Sequence, residues 1–153
     1  MYPPDDHDLG LATNLQLERL AAEYVGAWCD HDTDRIVDLF RDECEYDDVP
    51  LGITSRGKDE IRAFIETTHR TMSEFSLALR RLVVAQSVIT LESIQSGVHT
   101  GAFSAEQPTG KRYSVRMVTV MSVDDGRIAR VSDYWDLATV LRQLGLFPTP
   151  GQR

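Results

Sequence analysis

Residues 43 to 52, ECEYDDVPLG, crowd four carboxylates and a phenol into one short stretch beside a Pro and a Gly. A carboxylate buried among apolar neighbours costs several kcal/mol unless it is paired or protonated. Its pKa rises there, and a raised carboxyl near neutral pH suits a general base or acid. If residues 43 to 49 form a strand, alternation places Cys44, Tyr46 and Asp48 on one face and Glu45, Asp47 and Val49 on the other. Glu45 and Asp47 are then the solvated set, and Tyr46 and Asp48 are the pair that can face a pocket. A second acid, Asp133 in VSDYWD, shares a strand face with Val131 and Trp135. Tyr24 falls on the apolar stripe of a helical pattern, and His99 sits near a strand end. Each has a plainer reading: a turn cap for Asp48, a salt-bridged edge residue for Asp133, ordinary core for Tyr24, and a structural strand-end residue for His99.

The elements that must position these groups follow from periodicity. TNLQ at 13 to 16 has capping-box spacing, and Leu17, Leu20, Ala21, Tyr24, Val25 and Trp28 continue as one helical stripe. A turn at DHDTD leads into a shorter helix whose apolar residues are Ile36, Val37, Leu39 and Phe40. Pro50 and Gly52 end or bend the acidic strand. After Gly57 a third helix carries Ile61, Phe64, Ile65, Thr68 and Met72. From residue 75 the period becomes two, and four long strands follow. DDGR at 124 to 127 is a hairpin turn, and DLATVLRQLG is a short helix with Gly145 as its C-cap. Helices gathered early and antiparallel strands gathered late predict an α+β fold: a long curved sheet, mixed or antiparallel, forming a cone around a pocket. Residues 1 to 12 read as a loose arm, 13 to 147 as a single domain and 148 to 153 as a tail.

Bulk properties narrow the functional classes. A chain of 153 residues can bury a core without disulfides or metals. The formal net charge of -8 argues against nucleic acid and anionic membranes, both of which need clustered Lys and Arg. Cys29 and Cys44 have no CxxC spacing, and the four histidines have no metal-ligand spacing, so free thiols and no metal site are expected. The first residues carry neither a basic region nor an apolar run, and no stretch has the length of a membrane span, which predicts a cytoplasmic protein. There is no G-x-S-x-G, no Walker loop and no dinucleotide fingerprint, and the chemistry left to acids and phenols requires no cofactor.

The phrases YDDVPLG…GKDEIRAF, GVHTGAF…PTGKRYSV and DGRI…DYWDL…LRQLGL, in this order, resemble the fold shared by ketosteroid isomerase, limonene epoxide hydrolase, SnoaL-type polyketide cyclases and nuclear transport factor two. The likeness covers about residues 13 to 147 and is strongest to the SnoaL-like branch. Resemblance to the isomerase, ungapped from AEYVGAWCDHDTDRIV through CEYDDVPLG, puts Tyr24 on its oxyanion-donating phenol and Asp48 on its base. The isomerase's second donor, a protonated Asp, falls on Thr119, and a pocket aromatic falls on Trp135. Resemblance to the hydrolase, through PTGK and DYWD, puts Asp133 on its water-activating Asp and Tyr46 and Asp48 on its water-holders. Residues 91 to 110 hold neither its Arg nor its second Asp, so that constellation is incomplete. The SnoaL-type cyclases place their aldol base at about Asp133, and their accompanying His falls near Thr119. His99, in GVHTG, matches a pattern residue of that branch.

The expectation drawn from residues and resemblance together is an isomerase or cyclase acting on an apolar carbonyl compound. Its candidate catalytic residues are Asp48, Asp133, Tyr24, Tyr46 and His99. Its candidate pocket wall is Trp28, Phe64, Met72, Met117, Thr119, Met121, Val131 and Trp135. Limonene-type epoxide hydrolysis and a non-catalytic binding or interaction module are the alternatives, since fold alone does not choose among them. The resemblance also implies a homodimer through the outer face of the sheet, with a hydrophobic small molecule as the other partner.

Overall fold

A computed structural model describes residues 13–102 and 107–148. The arm at 1–12, part of the loop before PTGK, and the tail beyond residue 148 lie outside the described residues. Helix α1, Asn14–Cys29, starts with the expected capping box: Thr13 accepts from the Gln16 N–H, and Gln16 reaches back to the Thr13 N–H. Its stripe of Leu17, Ala21, Tyr24 and Trp28 is buried. Helix α2, Thr33–Asp38, is capped by Asp32. It ends before the apolar run does: Leu39 is its C-cap, and Phe40 already opens strand β1, Phe40–Asp48. An apolar run alone does not separate a helix end from a strand start, and here Phe40 enters the core as strand.

Strand β2, Ile53–Arg56, makes this segment a hairpin; pattern leaves a single strand or a hairpin open there, because four residues carry too little alternation. It pairs antiparallel with β1 after the turn at Val49–Gly52. Helix α3, Gly57–Thr71, follows, and β3, Met72–Ala85, begins with Met72, which the helical pattern had included. The remaining strands are β4, Val88–His99, β5, Arg112–Asp124, and β6, Arg127–Trp135. The β5–β6 hairpin turns on Asp125 and Gly126, both at positive φ, the conformation a two-residue turn of this kind requires. Helix α4, Leu137–Leu144, closes the chain with Gly145 in the left-handed conformation at its C-cap.

The six strands form one curved, unclosed mixed sheet in the order β2-β1-β6-β5-β4-β3. Only β1 and β6 run parallel; every other neighbouring pair is antiparallel. Helices α1 and α3 pack on the concave face, while α4 packs on β5. That arrangement matches the expected cone. Cys29 and Cys44 are free thiols. No described helix is long and apolar enough to cross a membrane.

One glycine fixes how α3 meets the end of β4. Gly101 donates its N–H to the Thr71 carbonyl, and a Cβ there would lie 2.2 Å from the Arg70 carbonyl oxygen. Backbone cannot yield as a flexible side chain can. Gly101→Ala is therefore expected to lower stability by about 1–3 kcal/mol, read by urea denaturation.

Candidate active site

Pairing of β5, β6 and β1 lines up three inward-facing residues. Thr119 lies opposite Asp133, and Asp133 opposite Asp48. Adjacent strands run about 4.8 Å apart, so two carboxylates share one patch of the concave face. Tyr46, two residues before Asp48 on β1, points the same way and reaches diagonally to Asp133. The alternation read from ECEYDD holds: Cys44, Tyr46 and Asp48 are buried. Glu45 and Asp47 take the other face and pair with Arg56 and Arg130.

Hydrogen bonds join these groups into a chain. Thr119 donates to Asp133 Oδ1 at 2.6 Å. Tyr46 donates to Asp133 Oδ2. The Tyr24 hydroxyl, delivered from α1, lies 3.3 Å from the Tyr46 hydroxyl. Since the Tyr46 proton is committed to Asp133, Tyr24 is the donor in that contact. Asp48 has separate partners: the Leu51 N–H at 3.1 Å and the Trp135 Nε1–H at 3.2 Å. It therefore does cap the turn before Pro50, and it lines the cavity as well.

The cavity lies between the helices and the sheet. Tyr24, Trp28, Tyr46, Asp48, Phe64, Met72, Met117, Asp133 and Trp135 all line it. Thr119, Met121 and Val131 do not, although the sequence assigned them to its wall. Met121 and Val131 are fully buried core, and Thr119 meets the site only through Asp133. His99 is not on the wall either. Its Nδ1 accepts from the Thr109 N–H at 3.2 Å, which ties the loop containing PTGK to the end of β4. Its position in GVHTG thus has a structural explanation.

Burial sets the electrostatics. Asp133 is 2 % exposed. Desolvation pushes its carboxyl up from 3.8 to about 7; the bonds from Thr119 and Tyr46 hold it down, and the neighbouring Asp48 charge adds to the rise. Asp48 is also raised by burial and is held down by the Leu51 N–H and Trp135. Burial, with the Asp133 charge behind it, drives both Tyr24 and Tyr46 well above the ordinary phenol range, so both remain neutral donors. The arrangement can exchange a proton at neutral pH and can offer a hydrogen bond to an anionic oxygen. A Thr119→Val variant deletes one of the two bonds that favour ionised Asp133. The Asp133 midpoint is expected to move upward by about one pH unit, read by carbon-13 NMR of its carboxyl carbon.

Sequence reasoning missed part of the wall. Leu51 and Ile53 come from the β1–β2 hairpin; Thr67, Thr68 and Thr71 come from the last turns of α3. Gln95 and Tyr113 line the cavity from β4 and β5. Tyr113 continues, at period two, the inward set that includes Met117 and Met121, and that extension would have found it.

Solved structures share this architecture. TsrD from Streptomyces laurentii is 25% identical over 89% of this chain and 99% of its own, with a TM-score of 0.78. A protein with a ketosteroid isomerase-like fold from Catenulispora acidiphila, solved with trimethylamine, is 23% identical over 86% of this chain and 97% of its own, with a TM-score of 0.74. An NTF2-like protein from Burkholderia pseudomallei is similar in fold, at 18% identity over 84% of this chain and 97% of its own, with a TM-score of 0.73. The sequence model of one family spans residues 18–144, which include both carboxylates, both phenols and the strands that hold them. The chain belongs to the SnoaL-like polyketide cyclase family.

Proposed function

We propose that this protein is an acid–base enzyme, an isomerase or cyclase, that uses its own side chains to enolise an apolar carbonyl compound. The observation that carries this reading is Asp133: a buried carboxyl at about 7 on the wall of a largely apolar cavity, hydrogen-bonded to a phenol. Ionised Asp133 takes a proton from the carbon next to the carbonyl, and the C–H electron pair becomes the enolate. Tyr24 swings its hydroxyl from Tyr46 to the enolate oxygen and stabilises the charge. From there two outcomes balance. In isomerisation a proton returns to a different carbon, delivered by Asp133 or by Asp48. In cyclisation the enolate carbon attacks a second carbonyl of the same molecule, a carbon–carbon bond forms, and Asp133 returns its proton to the new alkoxide. Family membership supports cyclisation of a polyketide-like substrate. An apolar wall that folds a flexible substrate upon itself contributes to either outcome.

Two further observations bear on the alternatives. Neither Asp48 nor Asp133 forms an ion pair among the described residues, contrary to what a collapsed binding module would require. The stretch 91 to 110 has neither the Arg nor the Asp that epoxide hydrolysis of the limonene type would use. The test needs no knowledge of the natural substrate. Incubated with 2-tetralone in deuterated water, the wild type is expected to accelerate exchange of the protons next to the carbonyl, followed by proton NMR. Asp133→Asn is expected to abolish that acceleration. Exchange no faster than in buffer would remove the proposal. Loss in Asp48→Asn with retention in Asp133→Asn would transfer the base to Asp48.

A further inference from the structure

Away from the carboxylates the cavity has a second polar end that the reaction above does not use. Gln95 is 9% exposed and faces the cavity from β4. Its Nε2 donates to the Tyr113 hydroxyl at 3.1 Å, and its Oε1 is buried without a partner. Tyr113, 3% exposed on β5, has no acceptor for its own hydroxyl proton among the described residues. An unengaged acceptor and an unengaged donor thus lie side by side. A buried amide oxygen left unmade is costly, and native folds keep few of them. Turning the amide over leaves its NH2 free instead, so one amide atom lacks a partner in either orientation.

The fold makes room for this pair. Gly97 lies opposite Tyr113 in the β4–β5 register, and a Cβ there would lie 3.0 Å from Tyr113 Cε1 and 3.3 Å from its hydroxyl. The neighbouring wall is apolar: Met72, Met117 and Val140. Gln95 pairs with Val115, four positions along β5 from Thr119, which marks the level of Asp133. Four residues of strand span about 13 Å.

We infer that Gln95 and Tyr113 form a binding subsite for a neutral hydroxyl at the far end of the substrate, about 13 Å along the strand from the carboxylate end. The substrate class is then a multi-ring or ring-forming carbonyl compound with a remote hydroxyl, which both accepts from Tyr113 and donates to Gln95. The inference rests on the enolising reading for the opposite pole only; the subsite itself is tested by binding.

The test uses three flat ligands at pH 5.5: anthraquinone, 2-hydroxyanthraquinone and 2,6-dihydroxyanthraquinone, with affinities from calorimetry. In the wild type the second hydroxyl is expected to tighten binding roughly tenfold over the monohydroxy compound. Gln95→Leu and Tyr113→Phe, which conserve size, are expected to erase that increment between the monohydroxy and dihydroxy compounds, whatever each variant does to the binding of anthraquinone itself. An increment that survives both variants overturns the subsite, as does its absence from the wild type or failure of all three ligands to bind. Loss of the increment in these variants, with 2-tetralone exchange unaffected by Asp133→Asn, would retain the subsite and discard the base assignment. The reverse pattern would retain the base and discard the subsite.

Discussion

Asp133→Asn is expected to lower turnover about a thousandfold and at the same time to make the protein more stable at pH 8. The loss of rate follows from removing a buried carboxyl that, alone among the described residues, is poised near neutral pH by desolvation and engaged by a phenol. Asn keeps the shape and can still accept from Tyr46, so the site stays filled. The gain in stability follows from linkage. Folding raises the Asp133 pKa from 3.8 to about 7, so the folded state holds the proton more tightly than the unfolded state does. That contribution is full below the ordinary carboxylate range, declines as pH climbs from about 4 to about 7, and is gone above. Asn mimics the protonated acid at every pH. The variant is therefore expected to match the wild type near pH 4 and exceed it at pH 8 by on the order of 1–3 kcal/mol, read from urea midpoints. Asp48 is raised in the same sense, so a shallower decline remains in the variant.

Tyr46→Phe is expected to be the next most damaging change, with turnover down about a hundredfold. Tyr46 is the shared member of the chain: it donates to Asp133 and accepts a hydrogen bond from the Tyr24 hydroxyl. Without it, Asp133 keeps only Thr119 as a partner, and its pKa moves further up because a bond to the ionised form is gone. Tyr24 loses its resting acceptor. The pH profile of the variant is thus expected to shift to higher pH as well as to drop. A Tyr46→Phe, Asp133→Asn double variant is expected to be little worse than Asp133→Asn alone, because the phenol acts through the carboxyl. A fully additive loss would mean that Tyr46 acts on substrate independently.

Much of this was legible in the residues. The stripe on α1 and the period-two strands read correctly because both are long enough for periodicity to repeat. Alternation alone separated Asp48 and Tyr46 from Asp47 and Glu45. Phe40 reads as helix, and the segment after the acidic strand reads as either one strand or a hairpin, because short elements leave periodicity nothing to average. The site itself depends on a parallel pairing of β1 with β6, strands from opposite ends of the chain. Local pattern cannot supply that contact; without it nothing links Tyr46 to Asp133. Thr119 shows the same limit. The resemblance placed it where a relative has an acid, whereas here its hydroxyl supports Asp133 from behind the wall. Gln95 is not legible in the sequence because a polar residue in a strand reads as solvated until the curvature of the sheet is known.

The central claim is that ionised Asp133 is the base. The most direct measurement is the pH dependence of 2-tetralone proton exchange by the wild type, with Asp133→Asn as reference. The wild-type rate is expected to rise with pH and bend at a midpoint near 7, and the variant to show no such rate. A rate already at its plateau by pH 5, or a profile shared by wild type and variant, would contradict it.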